Sequence, residues 1–215
     1  PFAGWQIQAG QSTVQGAITE AIGRTTGKEV SITGAGRTDA GVHALGQVAN
    51  FRIDHHLAPE KYRDALNYYL PSDIRIKESV EVPTAFNARR SARWKRYRYV
   101  LATERSALWQ DYRWEIEERG ALPGEIAESE YIDFALLNEA AGLILGEHDF
   151  SPFCVTSSRK EDNRCRIDFA RWSRVGPLRV FEIRGNRFLH NMVRSHVGAI
   201  VNLATVPQNG PPANL

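Results

Sequence analysis

The sequence has little cysteine and no long apolar run. Its 215 residues include two cysteines, Cys154 and Cys165, which are too few for a disulfide framework or a four-cysteine zinc site. No apolar run approaches the ~20 residues that a membrane-spanning helix needs. These absences predict a chain without membrane association in a reducing, cytoplasmic setting. With 42% hydrophobic and 24% charged residues, the chain has the composition of a globular protein with one sizeable core or two modest ones.

Acidic residues are missing from the stretch between Arg89 and Arg98, which holds six basic residues. Aromatic residues, Trp94, Tyr97 and Tyr99, are interleaved there with cations. Cations bind a phosphate backbone and aromatic rings stack on unpaired bases, so the stretch is consistent with a surface that binds a polyanion. A solvated face explains a run of charge equally well, and composition leaves both interpretations open. The six basic residues are Arg89, Arg90, Arg93, Lys95, Arg96 and Arg98.

The hydrophobic pattern predicts a first α+β unit over residues 1–83. "STVQGAITEAIGRTTG" predicts a helix that begins with a capping box at Ser12 and Gln15 and ends at Gly27. "EVSITGAG" and "QVANFRI" predict strands on either side of a glycine-rich loop. Pro59 is placed to open a second helix, and "DIRIKES" predicts a further strand.

The second predicted α+β unit covers residues 84–215. "KRYRYVLA" alternates as a strand, with Tyr97 and Leu101 on one side and Arg96 and Arg98 on the other. "CRIDFARW" and "LRVFEIRG" predict two more strands, while "DFALLNEAAGLILG" and "NMVRSHVGAIVNLA" carry the apolar spacing of helices. Strands and helices are about equally frequent in both units, which predicts two α+β halves around a shared cleft.

The loop "ITGAGRTDAGVHALG" places a carboxylate where a nucleotide-binding loop would bind phosphate. Gly34 and Gly36 fit the dinucleotide fingerprint, but Asp39 occupies the position of its third glycine. No Gly-Lys-Ser/Thr follows, so the other common phosphate-binding loop is excluded too. A carboxylate at this point would repel a pyrophosphate, and the pattern therefore argues against nucleotide binding.

Two interpretations of Asp39 follow from residue types alone. In the first, Asp39 lies in a turn and caps the next segment. In the second, Asp39 is a nucleophile or general base, because Arg37, Thr38 and His43 place further functional groups in the same loop and a nearby cation keeps a carboxylate ionised. The glycines of the loop would let a large ligand approach its backbone.

"GAGRTDAGVHALGQVANF" resembles the signature of the tRNA pseudouridine synthase A family, in which G-R-T-D-x-G-V-H surrounds a catalytic aspartate. Further stretches agree in order and spacing: "FAGWQIQ", "NYYLPSDI", "FNARRSARWKRYRY", "LGEHDFSPF" and "GNRFLHNMVRSHVG". The resemblance covers essentially the whole chain. It implies an α+β fold of two ferredoxin-like α/β-sandwich halves, with mainly antiparallel sheets, around a central basic cleft. It also implies further family elements before Pro1 and after Leu215.

The resemblance implies an isomerase that converts uridine to pseudouridine at positions 38, 39 and 40 of the tRNA anticodon stem-loop. The catalytic aspartate either adds to C6 of the uracil or acts at C1′ of the ribose, where the base is displaced or eliminated, and the freed base reattaches through C5. An isomerisation of this kind needs no cofactor and no metal. Family members act as homodimers, so the implied partners are tRNA and a second copy of the chain.

Site residues follow from the resemblance by position. Asp39 matches the catalytic aspartate, and Tyr97 matches a tyrosine that stacks on the target base; the alternative for Tyr97 is a place in the core. Arg194 matches an arginine that pairs with the aspartate; the alternative for Arg194 is a solvated arginine on a helix. Arg37 matches an arginine that binds RNA; the alternative for Arg37 is a contact to the loop backbone. The implied RNA-binding residues are Phe86, Asn87, Ala88, Arg89, Arg90, Arg93, Lys95, Arg96, Ser157, Arg159 and Lys160.

Two rival functions remain at this point. A catalytically silent RNA-binding module of the same fold would keep the basic stretch without turnover, although Asp39, Tyr97 and Arg194 are all present. An aspartate-nucleophile hydrolase of a small substrate would need a water-activating base or a metal site, and the sequence offers no such group of residues.

Overall fold

The chain divides into two compact units, Pro1–Ala92 (unit 1) and Arg93–Leu215 (unit 2). The division follows Ala92, whereas the hydrophobic pattern predicts a boundary after Pro83. None of the helices in the described part of the chain is long and apolar enough to cross a membrane. The structure is a computed structural model, and the residues it describes are 2–54, 57–116 and 132–204.

Unit 1 contains two helices and a short antiparallel pair of strands. The strands pair with Thr33 opposite Asn50, and the stretch between them is the glycine-rich loop. The predicted strands are therefore much shorter than "EVSITGAG" and "QVANFRI" suggest. The elements are α1 (Val14–Thr26), β1 (Thr33–Gly34), β2 (Ala49–Asn50) and α2 (Pro59–Tyr69).

Helix α1 is bounded by local caps. Thr13 is the N-cap, and its side-chain oxygen accepts a hydrogen bond from the Gly16 N–H at 3.2 Å. The predicted cap at Ser12 is thus wrong by one residue, because the hydroxyl one position later faces the free N–H groups. Gly27 ends the helix in the left-handed region (φ 69°), and its N–H donates to Gly23 O. This end was predicted correctly.

The core of unit 1 packs α1 against α2. The predicted strand at "DIRIKES" is absent, because the Asn67 side chain takes up both polar groups of the Ile76 backbone. Asn67 donates to Ile76 O at 2.9 Å and accepts from Ile76 N–H at 2.8 Å, so this segment follows α2 and pairs with no strand in the described part of the chain. The buried residues are Trp5, Ile18, Ala21, Ile22, Ile32, Tyr62, Leu66, Leu70 and Ile74.

Unit 2 is built on a five-stranded sheet. Its strands lie in the order β4 (Trp114–Glu115), β3 (Lys95–Ala102), β7 (Leu178–Gly185), β6 (Arg164–Val175) and β5 (Gly146–Asp149). β3 and β4 are parallel, and the other pairs are antiparallel. Two residues, Gly176 and Pro177, connect β6 to β7, and Gly176 has the positive φ (56°) that tight hairpin turns require. The elements are β3 (Lys95–Ala102), β4 (Trp114–Glu115), α3 (Phe134–Gly142), β5 (Gly146–Asp149), β6 (Arg164–Val175), β7 (Leu178–Gly185) and α4 (Met192–Ala204). Short 3₁₀ turns cover Gln110–Tyr112, Ser151–Phe153 and Thr156–Ser158.

One face of this sheet is apolar and packs against α3 and α4. Its fully buried side chains include Leu101 of β3, Trp172 of β6 and Phe181 of β7. Asp133 caps α3 by accepting from the N–H groups of Ala135 and Leu136. The observed α+β class with mainly antiparallel sheets confirms the predicted fold class. The ferredoxin-like topology of each half and the central basic cleft stay predictions.

His196 of α4 lies in the apolar core of unit 2. It is 5% exposed. Its ring packs against the rings of Phe153, with centroids 5.1 Å apart, and of Phe181, with centroids 6.2 Å apart. Among the described residues, neither ring nitrogen has a hydrogen-bond partner. Burial in these surroundings disfavours the charged imidazolium and lowers the pKa of His196 from 6.5 to about 4.

The buried imidazole predicts a loss of stability in acid. The unfolded chain binds this proton near pH 6.5 and the folded chain only near pH 4, so the stability present above pH 6.5 falls as the pH falls from 6.5 to 4. The loss is about 3 kcal/mol, at ~1.4 kcal/mol for each pKa unit. The free energy of unfolding of the chain, obtained by chemical denaturation at several pH values, measures this loss. We expect His196→Leu to remove this pH dependence and His148→Gln, on an exposed histidine, to preserve it; an unchanged profile in His196→Leu would contradict the assignment.

Candidate active site

The loop that carries Asp39 is closed at its base by more than the two short strands. The Ala35 N–H donates to Val48 O at 2.8 Å, and Gln47 Nε2 donates to Gly36 O at 2.6 Å. These bonds continue the hairpin beyond β1 and β2. Both ends of the loop are therefore held, although the strands themselves are two residues long.

A second segment, near the start of the chain, holds the middle of the loop. The Trp5 N–H donates to Thr38 O at 2.9 Å. Gly4 has a positive φ of 98°, and a Cβ at this position would lie 2.5 Å from Thr38 O. The Trp5 indole, 5% exposed, packs on Gly34 so closely that a Cβ there would lie 2.6 Å from the ring. Gly34 thus makes room for a tryptophan, whereas the sequence suggested room for a ligand.

Asp39 lies one residue after this anchored backbone. Its side chain is half-buried, and its carbonyl accepts a hydrogen bond from the Val42 N–H at 3.2 Å across a turn in which Gly41 has a φ of 77°. Residues 40–54 contain no helix, so the segment that follows Asp39 is a turn, and a capping role for its side chain stays a prediction. Arg37 is exposed on the same loop. The loop therefore presents a carboxylate and a guanidinium on a fixed backbone.

Tyr97 lies at the edge of the core of unit 2. It pairs with Ile183 across β3 and β7, and its half-buried ring makes an edge-to-face contact with Phe188, with centroids 4.9 Å apart and planes at 79°. One edge of the ring therefore belongs to the core.

Arg194 lies in the first turn of α4, and Asn191 orients it. Arg194 Nη1 donates to Asn191 Oδ1 at 3.1 Å. Asn191 has a positive φ of 62°, a conformation that asparagine tolerates better than most residues, and its carbonyl accepts the Ser195 N–H at 2.9 Å. Asn191 thus starts the helix and contacts the guanidinium. Sequence analysis missed this residue, although an asparagine before a helix is a recognisable signal.

The predicted RNA-binding residues before Ala92 form a turn in unit 1. Asn87 Oδ1 accepts hydrogen bonds from the N–H groups of Arg89 (3.1 Å) and Arg90 (3.0 Å). The Ala88 N–H donates to Asn50 Oδ1 of β2 at 2.8 Å, and Ala88 is 2% exposed. Asn87 and Ala88 therefore shape the turn, and the side chains of Arg89 and Arg90 project from it into solvent. The residues are Phe86, Asn87, Ala88, Arg89 and Arg90.

The rest of the basic stretch, including Arg93, Lys95 and Arg96, belongs to unit 2. Glu182 of β7 lies between two of its arginines. Its carboxylate accepts a hydrogen bond from Arg98 Nε at 2.7 Å and forms an ion pair with Arg96 Nε at 3.5 Å. The stretch that looked uniformly basic in sequence is therefore divided between the two units and partly neutralised.

The predicted second RNA-binding loop lies just before β6 in unit 2. Asn163, 5% exposed, fixes it by donating to Lys160 O at 2.8 Å and accepting the Lys160 N–H at 3.0 Å. Ser158 Oγ is 3.0 Å from His190 Nδ1, which ties the loop to the segment before α4. The three predicted residues are exposed: Ser157, Arg159 and Lys160.

The predicted site residues are distributed over both units. Asp39 and Arg37 lie on one anchored loop of unit 1, while Tyr97 and Arg194 lie at the core edge and helix start of unit 2. Their individual roles stay predictions. In residues 2–54, 57–116 and 132–204, no three His, Cys, Asp or Glu side chains converge into a group that could hold a metal ion.

Comparisons with known proteins agree with these features. The family described as tRNA pseudouridine synthase matches residues 2–89 and 140–211. A tRNA pseudouridine synthase A of Brachyspira hyodysenteriae is 42% identical over 203 residues, 93% of this chain and 77% of the relative. Those of Acetivibrio thermocellus (39% identical, 94% of this chain and 79% of the relative) and Rippkaea orientalis (37%, 95% and 67%) are also similar.

The chain belongs to the tRNA pseudouridine synthase family. The resemblance noted in the sequence is confirmed, and with it the class of an isomerase that acts on tRNA. The anchored Asp39 loop lies inside the first matched segment, and Arg194 inside the second.

The close approach at Gly4 predicts that a methyl group there disturbs the Asp39 loop. Gly4→Ala places a Cβ 2.5 Å from Thr38 O at a φ of 98°, so strain and steric overlap add, and we expect a loss of about 2 kcal/mol or more. Gly10→Ala is the matched control, because Gly10 also has a positive φ (70°) but no described residue within 4 Å of the added Cβ, and a loss of about 1 kcal/mol is expected. Urea denaturation of both variants measures the difference; equal stabilities would show that the contact with Thr38 is unimportant.

Proposed function

We propose that this chain isomerises uridine to pseudouridine at positions 38, 39 and 40 of the tRNA anticodon stem-loop, with Asp39 as the nucleophile. The observation that carries the proposal is the Asp39 loop. A half-buried carboxylate lies on a backbone held by the hairpin bonds and by Trp5, in a segment that matches the synthase family. Catalytic groups need such a rigid support, because small displacements cost rate.

The reaction needs a nucleophile and no oxidant or reductant. The N1–C1′ glycosidic bond breaks and a C5–C1′ bond forms, while C5 loses a proton and N1 gains one. Asp39 can take part in either of two ways, by adding to C6 of the uracil or by attacking C1′ of the ribose. Substrate and product have the same atoms, so the proposed activity requires no co-substrate and no cofactor.

Three residues are proposed to bind the substrate around the reacting base. The half-buried ring of Tyr97 lies beside Phe188 at the edge of the core, and an aromatic ring in such a position suits stacking on a uracil displaced from its helix. Arg194, oriented by Asn191, supplies a guanidinium, and its pairing with the catalytic carboxylate is part of the proposal. Arg37 is exposed two residues from Asp39 and is proposed to contact the RNA.

The remaining contacts of the proposal concern the body of the tRNA. Exposed cations in unit 1 and unit 2 are proposed to bind phosphates, because each phosphate contact adds affinity independent of sequence. A homodimer in the cytoplasm is proposed as the working form, in keeping with the family resemblance. The exposed cations are Arg89, Arg90, Arg93, Arg96, Arg159 and Lys160.

Replacing the nucleophile tests the catalytic part of the proposal. Asp39→Asn keeps the size of the side chain but removes its nucleophilic charge, so we expect pseudouridine formation to fall by at least about 10³-fold. The measurement is the release of tritium from a tRNA transcript labelled at C5 of uridine, because that hydrogen leaves in the reaction.

Asp73→Asn is the matched control for this experiment, since Asp73 is an exposed aspartate of the same unit; it should keep the parent rate. Binding of the same tRNA by all three proteins separates a catalytic defect from a binding defect. Equal turnover in Asp39→Asn would exclude Asp39 as the nucleophile. Binding without turnover in the parent would identify a catalytically silent RNA-binding module.

A further inference from the structure

The sheet of unit 2 has a charged face on the side opposite its apolar core. Alternation along β3 places Tyr97 and Tyr99 against the core and Arg96 and Arg98 on the opposite face. The pairing register continues this face across the sheet, with Arg184 beside Arg96 and Glu182 between Arg98 and Arg171. We call this surface the outer face: Arg96, Arg98, Arg171, Glu182 and Arg184.

The acidic residues on and beside the outer face are each paired with an arginine. Glu182 is shared by Arg96 and Arg98, and Asp168 Oδ1 accepts a hydrogen bond from Arg184 Nε at 2.8 Å. This hydrogen bond holds the pKa of Asp168 below its usual value, so the carboxylate stays ionised. The acids therefore orient the arginines, and the surface keeps a net positive charge.

A groove opens at one end of the outer face, where an exposed tryptophan lies over an arginine. Trp94 directly precedes β3 and is 54% exposed. The Arg184 guanidinium lies 5.8 Å from the centroid of its ring, a cation–π contact that places Trp94 on the outer face. The groove, here the Trp94 groove, has a volume of about 430 Å³ and is lined by Arg93, Trp94, Glu147, Arg166, Asp168 and Asn186.

The charges of the Trp94 groove favour an anionic ligand. Its two acids are engaged, since Glu147 lies 3.5 Å from Arg164 and Asp168 is bonded to Arg184. Neither Arg93 nor Arg166 forms a salt bridge with a residue that the structure describes, although the charge of Arg166 also acts on Asp168. Two available cations thus flank an exposed aromatic ring. Unpaired nucleotides are bound by this combination of residues, with the base stacked and the phosphate neutralised.

We propose that the Trp94 groove binds an unpaired nucleotide of the tRNA substrate, with the base stacked on Trp94 and the phosphate close to Arg93 and Arg166. The proposal rests on the proposed function for the identity of the RNA. The groove is separate from the site of the reacting uridine, because Tyr97 faces the opposite side of β3.

A contact remote from the reacting base contributes to binding and leaves the chemical step unchanged. We therefore expect Trp94→Ala to raise the Kd and KM for a tRNA transcript by about 5- to 100-fold, the usual range for one stacked base, at an unchanged kcat. Trp94→Phe should retain most of the affinity, because a smaller ring still stacks. Trp109→Ala is the matched control, since Trp109 is also exposed (72%) but lies outside the groove.

Two further measurements test the geometry of the groove. Hexauridylate should quench the tryptophan fluorescence of the parent and of Trp109→Phe, and quench that of Trp94→Phe markedly less. Arg93→Gln and Arg166→Gln should each lower the slope of log Kd against log salt by about 1. Because Trp94 and both arginines are exposed, these variants are expected to fold like the parent.

The outcomes separate this proposal from the proposed function. If Trp94→Ala binds tRNA as tightly as the parent does, and the parent forms pseudouridine normally, the nucleotide site in the Trp94 groove is excluded. The proposed function is then unaffected. RNA binding that depends on Trp94 in a parent that forms no pseudouridine supports the groove and overturns the function. A change in oligomeric state by sedimentation, with an unchanged Kd for tRNA, overturns the nucleotide site in favour of a contact between two copies of the chain.

Discussion

The close approach of the segment at Gly4 and Trp5 to the Asp39 loop is the contact on which the candidate site depends. The loop around Asp39 has strands of only two residues at its base, which cannot by themselves fix a long connection. Trp5 supplies the missing constraint, with a backbone hydrogen bond to Thr38 and a buried indole on Gly34. Burial of such a side chain contributes about 2 kcal/mol, so the stability of unit 1 and the position of Asp39 are coupled.

In unit 2 the period of two along β3 separates two kinds of surface. Alternate residues face the apolar core, at whose edge Tyr97 packs against Phe188, and the residues between them form the outer face. Arg96 and Arg98 of the basic stretch therefore lie on the outer face of the sheet. Glu182 of the neighbouring strand orients Arg96 and Arg98, whereas Trp94 is held by Arg184. Adjacent residues of β3 therefore lie on opposite faces of the sheet and make different contacts.

Prediction from sequence succeeded where the deciding interactions are local. The helices at Val14 and Pro59 and the strand at Lys95 follow from spacing, from a proline at the first turn and from alternation. The N-cap was misplaced by one residue because Ser12 and Thr13 carry the same hydroxyl, and only the backbone geometry selects Thr13. The strand predicted at "DIRIKES" does not form. The side chain of Asn67, from the preceding helix, hydrogen-bonds both the N–H and the carbonyl group of Ile76.

The sequence by itself determined the family, the α+β class and the position of Asp39 as the candidate nucleophile, because a motif of this composition and spacing depends on residue identity alone. Only the tertiary structure decided why Gly4 and Gly34 must lack side chains, which residue orients Arg194, and which side of the sheet Trp94 occupies. Each of these depends on atoms brought together from distant positions: Gly4 with Thr38, Trp5 with Gly34 and Trp94 with Arg184. Spacing along the chain carries no record of such contacts, since they arise when side chains pack.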